Sequence, residues 1–147
     1  PTNLLPFLLR VAKKEIEKIT IFGNDYPTPD GTCIRDYIHI EDLAKAHLAS
    51  FEYLLAQQEK NQEENSDFSL FEVFNIGTWL GKSVQEMISL VQNITGEEIQ
   101  VEIWERRDGD VAVSVANPTK AKQLLWREAE HSIMQAIEDA RNYYRQQ

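Results

Sequence analysis

Three arginines stand in or just after turn-forming segments, where a side chain can be held against a ligand. Arg35 follows the segment P-T-P-D-G-T at 27–32, and Arg106 and Arg107 open the turn R-R-D-G-D at 106–110. A guanidinium group presents paired donors that match the oxygens of a diphosphate, and loops on a rigid scaffold often carry function. Plain surface charge is the common alternative for any single arginine. The residues alone therefore predict a site for an anionic ligand, without naming that ligand.

Other motifs that could carry chemistry have simpler interpretations. The segment 77–83 resembles a phosphate-binding P-loop, but three residues separate its glycines where that loop needs four. His39 and His47 stand beside core-forming residues with no second ligand at metal spacing, so we predict structural roles for both. Cys33 is the only cysteine, which excludes an intrachain disulfide and a cysteine-rich metal site. We therefore predict no metal in this chain.

Composition and charge limit the class of partner. The formal net charge is −9, whereas proteins that bind a nucleic-acid backbone concentrate lysine and arginine on one face. No apolar run approaches the roughly 20 residues needed to cross a bilayer. A single cysteine suits a reducing compartment. We expect one globular domain in the cytosol that binds neither nucleic acid nor membrane.

Hydrophobic periodicity and capping residues predict the elements that must position the arginines. Helices are predicted after Asn3, from Glu41 to near Gln57, between the Ser83/Glu86 capping box and Gly96, after Asn117-Pro118, and after the Ser132/Gln135 capping box. Strands are predicted at 19–22, 34–40, 71–76 and 101–103. Residues 57–69 are polar and nearly free of core formers, so a solvated loop or disordered insert is predicted there. The sum is a small α/β domain without internal repeats.

Several motifs together resemble the C-terminal half of UDP-glucose 4-epimerases, which are extended short-chain dehydrogenases. They are Asn3-Leu4, F-G-N-D-Y-P-T-P-D-G-T at 22–32, R-D-Y-I-H at 35–39, D-L-A at 42–44, N-I-G at 75–77 and R-R-D-G-D at 106–110. The resemblance covers nearly the whole chain apart from residues 57–69. It implies that residues 1–147 form a small mixed α/β substrate-binding domain, and that the NAD-binding Rossmann domain lies upstream, outside this chain.

The resemblance also implies which residues bind a UDP-sugar. The family's substrate-binding positions fall on Asn3, Leu4, Thr20, Phe22, Arg35, Tyr37, Val84, Arg107 and Asp110. Arg35 and Arg107 would clamp the diphosphate, the strand ending at Phe22 would lie against uracil, and Asp110 would accept hydrogen bonds from ribose hydroxyls. Such anchors at the nucleotide leave the hexose free to turn.

The family's reaction needs residues that this chain does not contain. In that reaction NAD takes a hydride from C4 of the sugar with the help of a tyrosine base, and the hydride returns to the other face of the keto sugar. No tyrosine here has a lysine four residues later, and no G-x-x-G-x-x-G segment occurs. The resemblance therefore implies that this chain holds no catalytic residue, binds no NAD and is inactive alone. The complete enzyme would be a cytosolic homodimer that interconverts UDP-glucose and UDP-galactose.

Two alternatives stay open. The substrate could be another UDP-sugar, a UDP-N-acetylhexosamine or a UDP-pentose. Ser114 occupies a place where some family members carry a bulkier residue, and a small side chain could admit an N-acetyl group. The second alternative is a non-catalytic module that binds nucleotide sugars.

Overall fold

Short strands and amphipathic helices alternate along the chain. Within the described residues 3–64, 71–125 and 128–146, the computed structural model contains the helices α1 (Leu4–Ala12), α2 (Ile40–Glu64), α3 (Val84–Thr95), α4 (Thr119–Leu125) and α5 (Ile133–Arg145). The strands are β1 (Ile19–Phe22), β2 (Ile34–Asp36), β3 (Gly81–Ser83), β4 (Val101–Trp104) and β5 (Val113–Ser114). In one sheet β1 pairs with β4 in parallel, and in the other β2 lies between antiparallel β3 and parallel β5. The predicted mixed α/β class is confirmed.

Local capping chemistry sets the ends of two helices. At the start of α3 the Ser83 hydroxyl accepts from the Glu86 amide at 3.0 Å, and the Glu86 carboxylate accepts from the Ser83 amide at 2.8 Å. Ser132 and Gln135 repeat this arrangement at the start of α5. Gly96 ends α3 with a φ of 75°, a conformation that glycine adopts without a Cβ penalty. These predicted helix ends are confirmed.

The main hydrophobic core lies where three helices meet the first sheet. Its fully buried side chains come from α1, α3 and α5, namely Leu8, Met87, Val91 and Ile137. Ile19 and Ile21 of β1 face the same core. A smaller cluster between α2 and α4 consists of Ala49, Ala121 and Leu125. The first core therefore fixes β1 and the start of α3, which later prove to border a cavity.

The second helix is longer than predicted. It continues to Glu64 for a length of 25 residues, so the predicted end near Gln57 and the predicted loop over 57–64 are wrong. This stretch is rich in Gln, Glu and Lys, which favour helix once a preceding segment has nucleated it, and an apolar face is not required. Positions 65–69 of the predicted insert lie outside the described residues. Among the described residues, no helix combines the length and apolar character that a membrane crossing requires.

Two strand predictions also need correction. Residues 71–76 form no strand, and Phe71 and Val73 are 79% and 57% exposed. A short apolar run predicts a buried strand only if a neighbouring strand pairs with it, and none in the described structure does so. The predicted strand over 34–40 ends at Asp36, because Ile40 already begins α2.

The loop at 23–32 is tied to the start of α3. The Asp30 carboxylate accepts from the amide and hydroxyl of Thr32, at 2.9 and 2.8 Å, and from the Ser83 hydroxyl. Burial raises the pKa of Asp30, but these hydrogen bonds outweigh burial and hold the pKa below its usual value. Gly31, with a φ of 79°, leaves no room for a Cβ beside the Asn24 carbonyl. The loop is therefore held in one shape between β1 and β2.

Candidate functional site

A cavity of about 500 Å³ lies between β1, the start of α3 and the turn that follows β4. Every predicted substrate-binding residue except Asn3 lines it. Asn3 is exposed and precedes the first residue of α1, and its side chain makes no capping hydrogen bond. The structure thus brings together positions that lie far apart in the sequence, while the contacts of each with a substrate stay predictions.

Regular elements position the apolar part of the lining. Thr20 and Phe22 belong to β1, whose parallel partner β4 holds them opposite Glu102 and Trp104. Leu4 comes from the first turn of α1, and Val84 is the first residue of α3. The main core beneath these elements leaves little freedom to move this wall of the cavity.

Arg35 is anchored from two sides. Its Nη1 atom donates to the carbonyl oxygens of Ile34 and Val111, both at 2.8 Å. Its Nη2 atom lies 3.8 Å from Oδ1 of Asp110. The guanidinium group is therefore held in place before any ligand arrives, and one of its terminal nitrogens is left to face the cavity.

Arg107 approaches the same carboxylate from the turn after β4. Its Nε atom donates to Oδ2 of Asp110 at 3.1 Å, and its guanidinium carbon lies 4.4 Å from the centre of the Phe22 ring. No hydrogen bond from its two terminal nitrogens occurs within the described structure. Asp110 is thus flanked by two cations, each with donors to spare for an anion.

Tyr37 adds a hydroxyl group to the cavity. Burial raises its pKa to about 12, because the phenolate form would be poorly solvated there. The hydroxyl therefore stays protonated near neutral pH and can donate a hydrogen bond to a ligand oxygen.

Sequence reasoning missed several residues of the lining, including Lys18, Cys33 and Phe7. Lys18 directly precedes β1, and its ammonium group donates to Glu102 of β4 at 2.9 Å. The charge pair between the predicted strands was the one signal that could have placed Lys18 near this wall. Its charge is compensated by Glu102, so Arg35 and Arg107 remain the stronger anion ligands.

Arg106 is not part of the cavity, contrary to the prediction that all three arginines lie near the ligand. Its Nε atom donates to Oδ1 of Asp25 at 2.7 Å, and its guanidinium carbon lies 4.2 Å from the centre of the Tyr26 ring. Neighbouring residues in an irregular segment can face opposite sides, and only the loop at 23–32 decides which arginine faces which side.

A larger cavity, of about 980 Å³, lies beside the segment 77–82 and also includes Tyr37. It contains two lysines, but Lys82 pairs with Glu86 at 2.8 Å and Lys122 pairs with Glu128 at 2.6 Å. Because both cations are compensated, this space offers an anion less than the smaller cavity does.

The group of side chains nearest to a metal site in the described residues is His39, Glu41 and His131. The Glu41 amide donates to Nδ1 of His39 at 3.1 Å, so the ring proton sits on Nε2, which faces Asp139 at 3.2 Å. Nδ1 of His131 is bonded to buried Asp42 at 2.8 Å. A metal at Nε2 of His39 would need the proton moved to Nδ1 and the Glu41 hydrogen bond broken. These hydrogen bonds favour the structural role predicted for His39.

The start of α3 does not fit the pyrophosphate of a dinucleotide. A phosphate there would need free amides, but Gln85 donates to the Thr32 hydroxyl at 3.3 Å and Glu86 to the Ser83 hydroxyl at 3.0 Å. The preceding segment carries the bulky Trp79, with a φ of 64°, instead of a glycine. The described residues therefore present no site for NAD at this helix.

Fold and cavity together define a small α/β domain with an arginine-bearing pocket. The family model described as GDP-mannose 4,6 dehydratase matches residues 1–140, and the chain belongs to that family. UDP-glucose 4-epimerase from Bacillus subtilis is 39% identical over 140 residues, which are 95% of this chain and 38% of the relative. The predicted resemblance to UDP-glucose 4-epimerases is confirmed.

Two solved structures are similar over almost the whole chain. UDP-glucose 4-epimerase from Stenotrophomonas maltophila, with bound NAD and formylated UDP-arabinopyranose, has a TM-score of 0.86 and 35% identity, and covers 99% of this chain and 40% of its own. The Bifidobacterium longum enzyme, in complex with NAD⁺ and UDP, has a TM-score of 0.86 and 36% identity with the same coverage. The chain thus spans about two fifths of the length of these relatives, and both structures hold the predicted cofactor NAD.

Proposed function

We propose that this chain binds the nucleotide part of a UDP-sugar in a protein that interconverts UDP-glucose and UDP-galactose. The observation that carries the proposal is the pair of Arg35 and Arg107, which approach one Asp110 carboxylate at the same cavity. Two guanidinium groups suit the two phosphates of UDP, since each can bind a pair of oxygens. The cavity volume, about 500 Å³, lies within the range of small-molecule sites. The Bifidobacterium longum relative, solved with UDP, supports the choice of nucleotide.

The roles of the lining follow from its chemistry. Arg35, anchored on two carbonyl oxygens, would hold one phosphate, and Arg107 would hold the other. When the diphosphate takes over both cations, Asp110 becomes free to accept hydrogen bonds from the ribose hydroxyls. The Tyr37 hydroxyl would donate to the nucleoside, since its raised pKa keeps it protonated. Phe22 would pack against uracil.

The remaining contacts are apolar or lie at the rim. Thr20 precedes the uracil position on β1, Leu4 and Val84 would close the wall, and Asn3 would reach the ligand from the start of α1. All four are proposed contacts of substrate, not of cofactor.

The proposal assigns the rest of the reaction to residues outside this chain. NAD would be held there, and the chain alone would bind UDP without turnover. The full-length protein is proposed to be a cytosolic homodimer of galactose metabolism, as the family resemblance implies. Light scattering of the purified full-length protein tests the dimer, and a monomeric mass would contradict it.

Calorimetry with UDP and with uridine tests the nucleotide site in the full-length protein. UDP should bind, and Arg107→Ala should weaken its binding about thirtyfold, because a charged hydrogen bond is worth about 1.5–3 kcal/mol. Uridine has no phosphates, so its affinity should stay within about twofold. Lys45→Ala, which removes the exposed pair with Glu130, serves as the matched control. Unchanged UDP affinity in Arg107→Ala would refute the diphosphate role.

A turnover assay tests the reaction. The full-length protein should convert UDP-galactose to UDP-glucose, and the 147-residue chain should not. Turnover by the 147-residue chain alone would overturn the division of labour proposed above. Binding without any turnover by the full-length protein would favour the alternative of a non-catalytic nucleotide-sugar module.

A second UDP-sugar is proposed beside UDP-glucose, on the strength of Ser114. This residue is exposed on β5 and pairs in register with Arg35, so a small side chain lies next to the proposed phosphate ligand. A small residue there leaves space for an N-acetyl group or for another sugar, and the Stenotrophomonas maltophila relative was solved with a UDP-pentose derivative. Ser114→Tyr should then slow turnover of UDP-N-acetylglucosamine more than that of UDP-glucose. Equal slowing, or no initial turnover of the N-acetylated sugar, would remove this extension.

A further inference from the structure

Arg106 has three contacts with one loop, although it does not line the cavity. Its Nε atom donates to the Asp25 carboxylate at 2.7 Å, and its Nη2 atom donates to the Asp25 backbone carbonyl. The guanidinium plane lies over the Tyr26 ring at 4.2 Å. Tyr26 is itself 5% exposed, so the ring is a fixed platform. One side chain thus meets a carboxylate, a carbonyl and an aromatic face at once.

Gly23 completes the surface that receives Arg106. A Cβ atom there would lie 2.7 Å from Cγ of Arg106 and 2.6 Å from Cε2 of Tyr26. The φ of Gly23 is 84°, which disfavours any other residue independently of space. We call Gly23, Asp25 and Tyr26 the Arg106 seat. Its close fit shows that the stem of Arg106, and not only its charge, is held against the loop.

The turn that carries Arg107 has little else to hold it. Residues 105–109 are all exposed. Within the turn, the Asp110 amide donates to the Arg107 carbonyl at 3.2 Å, and Gly109 adopts a φ of 85°. Beyond these local contacts and the cavity contacts of Arg107 itself, the Arg106 seat is what joins the turn to the folded domain.

Side chains of successive residues in extended chain point to opposite sides. Arg106 on its seat therefore leaves Arg107 on the cavity side, above Phe22 and beside Asp110. We propose that Arg106 is a positioning residue for the nucleoside diphosphate: it does not touch the ligand, but it holds Arg107 where the phosphates bind. This inference rests on the proposed function, because it assigns Arg107 to the diphosphate.

The contacts require arginine and not merely a positive charge. A lysine could reach either the carboxylate or the carbonyl, but it has no planar face to stack on Tyr26 and no fork to bridge both oxygens. Arg106→Lys and Arg106→Ala should therefore behave alike, whereas a purely electrostatic attraction of the diphosphate would be restored by lysine.

A double-mutant cycle in the full-length protein, with UDP and uridine as probes, tests the proposal. Arg106→Ala should weaken UDP binding about fivefold, the sum of an exposed ion pair and a cation–π contact. Uridine affinity should stay within about twofold, since no phosphate is involved. In the Arg107→Ala background, Arg106→Ala should cause no further loss, because a positioning residue has nothing left to position.

Additive losses, parallel loss of uridine affinity, or full affinity in Arg106→Lys would each overturn the positioning role. Asp25→Ala removes the seat from the loop side and should reproduce the fivefold loss if Arg106→Ala does not fold. Unchanged UDP affinity in Asp25→Ala would also overturn the role. If the wild type binds no UDP, or if Arg107→Ala binds UDP normally, the proposed function itself fails and this inference falls with it.

Discussion

Helices α1, α3 and α5 bury their apolar faces against one another and against β1, whereas α2 leaves much of its apolar face exposed. Leu8 and Met87 in the first region are fully buried. In the second region Leu48 and Phe51 are 57% and 59% exposed, and Phe71 after the helix is 79% exposed. The stability of the described chain should therefore reside in the first region. The cavity walls from β1, α1 and α3 stand on that region, so the site inherits its rigidity.

Two buried aspartates connect the regions. Asp36 accepts from the amides of Thr78, Trp79 and Ala116, at 3.0 to 3.2 Å, and from the Thr78 hydroxyl. Asp42, on α2, accepts from the Glu130 and His131 amides at 3.0 and 2.9 Å. Polar contacts thus do at these junctions what apolar packing does in the main core.

Truncation in the main core should have the largest effect. Leu8→Ala is expected to lower the free energy of unfolding by about 3 kcal/mol, since it removes buried methyl groups and leaves a cavity. Urea denaturation at pH 7 measures the loss. Leu48→Ala is the matched control on α2 and should change stability by less than about 0.5 kcal/mol. Equal losses in the two variants would break the contrast between the regions.

Removal of the Asp36 carboxylate should come next. Asp36→Ala leaves the three amides and the hydroxyl without their acceptor, which should cost about 2–3 kcal/mol. The same denaturation series measures it, with Asp108→Ala in the exposed turn as control. A loss no larger than that of the control would mean that the connection between β2 and the segment 77–80 is dispensable.

The Asp42 junction should weaken in acid. Burial raises the pKa of Asp42, but hydrogen bonds from His131 and Glu130 outweigh burial and leave the pKa below its ordinary value of 3.8. A lowered folded-state pKa gives stability that is present above the unfolded-state pKa and is lost as pH falls through the folded one. Asp42→Asn should therefore cost about 1–2 kcal/mol at pH 7 and progressively less below pH 3.8. Urea titrations at several pH values measure this, and a difference that persists unchanged at the lowest pH would contradict it.

The smallest effect is expected on the exposed face of α2. Phe51→Ser should change the unfolding free energy of the 147-residue chain by less than about 0.5 kcal/mol. The ring has little burial to lose at 59% exposure. A loss of about 2 kcal/mol or more would show that this face is covered in solution and would narrow the contrast between the regions.

Local signals in the sequence predicted much of the frame. The capping boxes at Ser83 and Ser132, and the turn at Gly96, rest on hydrogen bonds within a few residues, so neighbouring residue types suffice to predict them. Strand pairing at 71–76 could not be predicted in this way, because it depends on a distant partner. Eight substrate-binding positions that motif resemblance identified share one cavity, but neither periodicity nor composition brings them together.

The sequence by itself determined the helix starts, the strand β1, the resemblance to UDP-glucose 4-epimerases and the presence of three arginines beside turns. Each of these depends on residue type, local hydrogen bonding or a motif that can be read in order. Only the tertiary structure decided that Arg107 faces the cavity while Arg106 faces the opposite loop. The physical reason is that the direction of a side chain in an irregular turn is set by the partner it meets. Here the partners of Arg106 are Asp25 and Tyr26, about eighty residues earlier in the chain.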